Sequence, residues 1–145
     1  MPRHFHQLTM NAFVQATEDR DKVVHAIENL AGESVGEHLV EKSAEGMYHN
    51  PIIILEAVYN RERDIKRLLF RWSDMDFWKE ALEQKEQRMD GSQVFHVRVD
   101  KQGAYEGSMR LWEQGEMIAI KLKIATYPAS RKKALKLLDH IPELT

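Results

Sequence analysis

Two stretches of strict alternation constrain the fold of this chain more than any other feature. One is Val94-Phe95-His96-Val97-Arg98-Val99-Asp100, and the other is Ile118-Ala119-Ile120-Lys121-Leu122-Lys123-Ile124. A strand turns successive side chains to opposite faces. Phe95, Val97 and Val99 therefore oppose His96 and Arg98, while Ile118, Ile120, Leu122 and Ile124 oppose Lys121 and Lys123. The pattern predicts a sheet with an apolar face for the core and a second face that carries cations into solvent.

The rest of the chain supplies helices to cover the apolar face. Leu8, Met10, Ala12, Val14 and Ala16 alternate with Gln7, Thr9, Asn11, Phe13 and Gln15, which predicts a long first strand. Thr17 is a candidate cap for the helix that follows, with Glu18 and Asp19 at its positive end. Val23, Val24, Ile27 and Leu30 form that helix's apolar stripe, and Gly32 stops it. Residues 35–42 and 51–59 read as a hairpin around the turn-rich 46–51 segment. Asn60 is the expected cap of a helix with Ile65, Leu68, Leu69 and Trp72 on its inner face, and a second helix carries Phe77, Ala81, Leu82 and Met89. Strands at 93–100, 107–113 and 116–125 follow, then a last helix that holds Ala134, Leu135 and Leu138. The expected order is β-α-β-β-α-α-β-β-β-α. This is an α+β fold, a single mostly antiparallel sheet covered by helices on one face.

Composition limits the function classes. The 145 residues suit a single domain over 1–145, with a hydrophobic share of 43% and a charged share of 30% typical of globular proteins. No apolar run approaches the length of a membrane span, and the first twenty residues lack the regions of a secretory leader. With no cysteine, disulfides and thiolate metal sites are excluded, and a cytoplasmic location is the expectation. The net charge of -2 hides an uneven distribution. Residues 93–145 carry nine Lys or Arg against six acids, which leaves -5 for residues 1–92. Such asymmetry permits a cationic face on a near-neutral protein.

Three constellations could carry binding chemistry. The first is the solvent side of the sheet, where His96, Arg98, Arg110, Lys121 and Lys123 would stand, with Phe13 as an aromatic among hydrogen-bonding neighbours. Cations and an exposed ring on a sheet suit RNA, whose phosphates need neutralising and whose bases stack. The same arrangement also describes an ordinary solvated face whose lysines discourage edge pairing. The second is the loop 100–107, where Lys101, Gln102 and Tyr105 offer a cation, an amide and a ring between glycines. An ordinary turn with a buried Tyr105 accounts for it equally. The third is the last helix, with Arg131, Lys132, Lys133 and Lys136, which suits phosphate contact or plain solvation.

Catalytic and cofactor signals are thin. The chain has no nucleophile-elbow or phosphate-loop motif, and its seven histidines are scattered; His4 and His6 share a strand face and could bind a metal, but spacing fixes no third ligand. The expectation is a protein that is not an enzyme and carries no cofactor or metal. A metal-dependent nuclease assembled only in the fold is the enzymatic alternative.

Several segments, in order along nearly the whole chain, resemble a small archaeal family of RNA-binding proteins and predicted exosome subunits. They are Phe13-Val14-Gln15-Ala16-Thr17-Glu18-Asp19, Tyr48-His49-Asn50-Pro51-Ile52-Ile53-Ile54-Leu55-Glu56-Ala57, Val97-Arg98-Val99-Asp100-Lys101-Gln102-Gly103-Ala104-Tyr105 and Ala125-Thr126-Tyr127-Pro128-Ala129. The resemblance implies a fold like that of the large-subunit ribosomal protein that binds 5S ribosomal RNA. It implies RNA as the partner, with exosome or ribosome components as further partners. On chemistry, the expected RNA contacts are Arg98, Lys101, Gln102, Tyr105, Arg110, Lys121, Lys123, His96, Phe13 and Lys132. The rival class is a protein-interaction or homodimerisation module of an RNA-processing assembly, using a strand edge or the apolar residues Ile52, Ile54 and Val58.

Overall fold

Alternation becomes sheet as expected. The computed structural model describes residues 3–45 and 51–141. Along the chain run β1 (Phe5–Val14), α1 (Arg20–Ala31), a short 3-10 turn (Gly36–His38), β2 (Leu39–Glu45), β3 (Pro51–Tyr59), α2 (Glu62–Trp72), α3 (Asp76–Glu83), α4 (Lys85–Arg88), β4 (Val94–Asp100), α5 (Lys101–Tyr105), β5 (Met117–Ile124) and α6 (Arg131–Leu138). Among the described residues the strands form one antiparallel sheet in the order β2-β3-β1-β5-β4, and the fold is α+β. No described helix is long and apolar enough to cross a membrane. The predicted turn at 46–51 lies, apart from Pro51, outside the described residues, as does His49. The strands that flank it pair as expected, from Leu39 opposite Ala57 to Glu45 opposite Pro51.

The chain divides into two compact units, each assembled from separated segments. The first comprises residues 1–9, 59–97 and 120–145. Its core is aromatic: Trp72 and Trp78 lie 5.5 Å apart, and Trp78 meets Phe95 edge-on at 5.6 Å. The stripe predicted for α2 is the buried one, Ile65, Leu68, Leu69 and Trp72, but the helix is entered from Arg61 and not capped by Asn60 as expected. α2 is tied to the first strand by Glu62, whose Oε2 accepts the amides of His4 at 2.7 Å and Phe5 at 3.1 Å. Burial alone would raise the pKa of this carboxyl. Those two amides and the Lys66 ammonium outweigh it and hold the group below its ordinary range.

The second unit comprises residues 10–58 and 98–119. In it α1 is capped by Asp19, whose side chain accepts from the Asp21 backbone amide, rather than by Thr17. Gly32 ends the helix as expected, at a φ of 75° that the left-handed cap requires. β2 begins four residues later than predicted, because Gly36–His38 tightens into the 3-10 turn.

Two expectations for this unit are corrected. The loop 100–107 is not a turn between strands, since Lys101–Tyr105 forms the short helix α5. Its end is held from α1, where the Asn29 amide donates to the carbonyls of Ala104 at 2.9 Å and Tyr105 at 3.1 Å. The strand predicted at 107–113 is an irregular segment with a single bridge, between Leu111 and Val99. Gly107, at φ 89°, turns the chain out of α5, and Met109 and Leu111 are only half-buried, too little apolar surface to seat a full strand.

Candidate nucleic-acid interface

Lys101 shows most clearly what the second unit does with its charges. Its side chain is only 7% exposed. The ammonium donates to the Phe13 carbonyl at 3.0 Å and to Glu18 Oε1 at 2.9 Å, and Glu116 Oε2 lies 3.4 Å away. A lysine has three N–H donors, and three protein partners surround them here. Its charge is therefore compensated inside the protein, in contrast to the exposed phosphate-binding cation expected from sequence. Glu18 is itself oriented, since it accepts the Gln15 amide at 2.9 Å.

Gly103 makes this corner possible. A Cβ at that position would stand 2.8 Å from the Ser108 carbonyl oxygen and 3.1 Å from Asp100 Oδ2. The Ser108 amide donates to the Gly103 carbonyl at 2.8 Å, which folds the segment after α5 back upon it.

The returning segment carries an exposed cation–aromatic arrangement. Arg110 reaches back to the buried Asp100, with Nε at 3.1 Å and Nη2 at 2.7 Å from Oδ2. Its guanidinium lies over the Trp112 ring, 5.3 Å from the centroid. The Arg110 side chain nevertheless stays 61% exposed, and Trp112 stays 39% exposed. A guanidinium has five N–H donors, so two bonds to Asp100 leave the rest turned to solvent. Arg98, also exposed, lies 3.7 Å from Glu113, and its carbonyl accepts the Trp112 amide at 2.9 Å. Arg98 and Arg110 are thus brought onto one short segment pair.

Gln102 and Tyr105 occupy a different place. They line a cavity of about 340 Å³ together with Lys101, Thr17, Glu18 and Lys22. Tyr105 is half-buried, edge-on to His25 at 5.5 Å, with the Lys22 ammonium 5.9 Å from its ring. Gln102 is exposed and donates to Glu106 at 3.0 Å. Phe13 lines another cavity, of about 440 Å³, with Asn11, Gln15, Lys101, Glu116 and Met117 among its walls.

The remaining candidates belong to the first unit. Lys121 and Lys123 are exposed on β5 while Ile120, Leu122 and Ile124 are buried, as the alternation predicts. His96 is half-buried, and its Nε2 lies 2.8 Å from Asp90 Oδ2. That hydrogen bond, helped by the amides of Val94 and Ser92, holds the Asp90 carboxyl below its ordinary range. On α6, Arg131 is engaged with the backbone carbonyls of Glu86 and Met89, whereas Lys132 is exposed.

Sequence reasoning missed Trp112 and the carboxylates around Lys101. Trp112 was detectable, because residues i and i+2 share a side of an extended segment and so place a ring beside Arg110. No local signal marks Glu18, which is 83 residues from Lys101.

The comparisons with known proteins agree with one another. A family described as RNA binding has a model that matches residues 7–125. The chain is 29% identical over 137 residues to an RNA-binding protein of Pyrococcus abyssi, covering 90% of this chain and 89% of that one. It is 30% identical over 140 residues to an uncharacterized protein of Methanocaldococcus jannaschii, covering 89% and 91%. Among solved structures, a protein from Archaeglobus fulgidus is similar with a TM-score of 0.83 and 32% identity, over 94% of this chain and 99% of that one.

Proposed function

We propose, since the chain belongs to the RNA-binding family whose model it matches over residues 7–125, that it is a non-catalytic protein that holds RNA by its exposed cations and rings. In the second unit the phosphate contacts are Arg98 and Arg110, and Trp112 is the stacking surface beside them. In the first unit Lys121, Lys123 and Lys132 act on phosphates. Gln102, Tyr105 and His96 are secondary contacts, because each already has a partner within the protein.

The observation that carries this reading is the Asp100–Arg110–Trp112 arrangement. A buried carboxylate fixes the guanidinium, the guanidinium covers part of an indole, and both still face solvent. Fixing a long cationic side chain before the ligand arrives lowers the entropy lost on binding. An arginine so placed can neutralise phosphate or stack on a base, and an exposed indole stacks on any base.

The larger setting we propose is an RNA-processing or ribosome-linked assembly, with exosome components among its partners. The support for it is the sequence resemblance alone. The test of the binding function is fluorescence anisotropy with labelled single-stranded and structured RNA across a salt series. Binding that weakens with salt, and weakens further in Arg98→Ala with Arg110→Ala, supports it. No binding to any RNA at low salt overturns it.

A further inference from the structure

We propose that the recess beside Phe13 receives one unstacked base of single-stranded RNA. The inference rests on the RNA-binding reading and assigns it a subsite that a phosphate does not fit.

Phe13 sits near the end of β1 and is 52% exposed, although its neighbours Ala12 and Val14 are buried. One exposed phenyl is unremarkable by itself. What stands around it is more specific. Asn11 and Gln15 lie two residues to either side, on the same face of the chain, and both line the cavity of about 440 Å³ that Phe13 opens into. Neither side-chain amide hydrogen-bonds to another described residue. Each offers a donor and an acceptor side by side, which is what the edge of a nucleobase presents in return. Met117 and Ala119 supply an apolar wall.

Charge decides which part of RNA enters. Among the described residues Lys101 is the single cation that lines this cavity, and it is engaged with Phe13, Glu18 and Glu116. Glu116 lines the cavity as well and is 57% exposed. A phosphate would meet a carboxylate and no spare positive charge. An uncharged, flat group with hydrogen-bonding edges meets a ring, two amides and an apolar wall. Lys101 acts on this subsite as a positioning residue, because its bond to the Phe13 carbonyl fixes the backbone under the ring.

The experiment is anisotropy with 5′-labelled oligoribonucleotides of A, U or C, and with an oligomer of equal length whose central nucleotides are abasic. Phe13→Ala should weaken binding of the base-bearing oligomers by roughly 5- to 150-fold, the span of a lost stacking contact. It should leave the salt slope and the abasic oligomer's affinity unchanged, and Phe13→Tyr should retain binding. Asn11→Ala with Gln15→Ala should reduce the differences among A, U and C. Should Phe13→Ala melt at a lower temperature than the parent, crosslinking of a 4-thiouridine oligomer to the unaltered chain replaces it. Adducts on residues 11–17 then support the subsite, and adducts only elsewhere overturn it. Salt-dependent RNA binding that is indifferent to Phe13→Ala overturns the subsite alone and points to a peptide side chain as its occupant. An unaltered chain that binds no oligomer overturns the subsite together with the RNA-binding reading.

Discussion

The Lys101 ammonium stands 3.0 Å from the carbonyl oxygen of Phe13, 88 residues earlier in the chain. With Glu18 and Glu116 on its other sides, it locks the start of α5 to the end of β1. A cation that sequence alone offers as a phosphate ligand is instead an internal fastener. Replacing it by Met removes one charge and leaves two carboxylates facing each other. Lys101→Met should lower stability by about 1–3 kcal/mol, because the Phe13 carbonyl loses its donor while the two carboxylates stay partly in solvent. Urea unfolding checks this, and a midpoint equal to the parent's would show that the ammonium is not structural.

Gly103 has no room for a side chain. A methyl group there would press on the Ser108 carbonyl at 2.8 Å, a contact that only movement of backbone can relieve. We expect Gly103→Ala to cost about 1–3 kcal/mol, in line with overpacking elsewhere. We also expect it to loosen the segment that carries Arg110. Hydrogen exchange should show faster amide exchange at Ser108 and Trp112, whose backbone bonds depend on that return.

Glu62 makes stability depend on pH in a direction that can be derived. Its folded pKa lies below the ordinary value of 4.5, so its contribution is fully present above that value and is lost as pH falls through the lower, folded one. Glu62→Gln should therefore be less stable than the parent at pH 7 by about 1–3 kcal/mol, the worth of hydrogen bonds to a charged acceptor. The gap should narrow in acid. Thermal melts at pH 7 and pH 3 measure both ends, and a gap that widens in acid would contradict the assignment.

Much of the fold was readable because burial follows alternation. The four aliphatic residues of β5 are buried and its two lysines exposed, as the period of two requires. The inner stripe of α2 was readable from its period of 3.6 for the same reason. The part that was not readable depends on distant partners. Lys101-Gln102-Gly103-Ala104-Tyr105 has a glycine at its centre and follows a strand directly, so local preference favours a turn. The Asn29 amide from α1 and the carboxylate of Glu18 favour a helix instead. The candidate interface divides along the same line. Arg98, Lys121 and Lys123 are exposed as their positions in alternating strands imply, whereas Lys101 and His96 are engaged by acids that no local pattern reveals.

Trp112 offers a separation of stacking from charge. Trp112→Ala should weaken RNA binding by about 1–3 kcal/mol without changing the salt dependence, because an indole carries no counterion to release. Arg110→Ala should change both. Tryptophan fluorescence adds a direct readout. Quenching on RNA addition should shrink in Trp112→Ala, since Trp72 and Trp78 are fully buried and out of reach of a base.

The most direct measurement is the slope of log affinity against log salt for single-stranded RNA, in the parent chain and in Arg98→Ala with Arg110→Ala. Each lost phosphate contact should flatten the slope by about 0.7. The account predicts a double variant that folds normally, binds more weakly at low salt and has a slope shallower by roughly 0.7 to 1.4. A double variant with the parent's affinity and the parent's slope would contradict it.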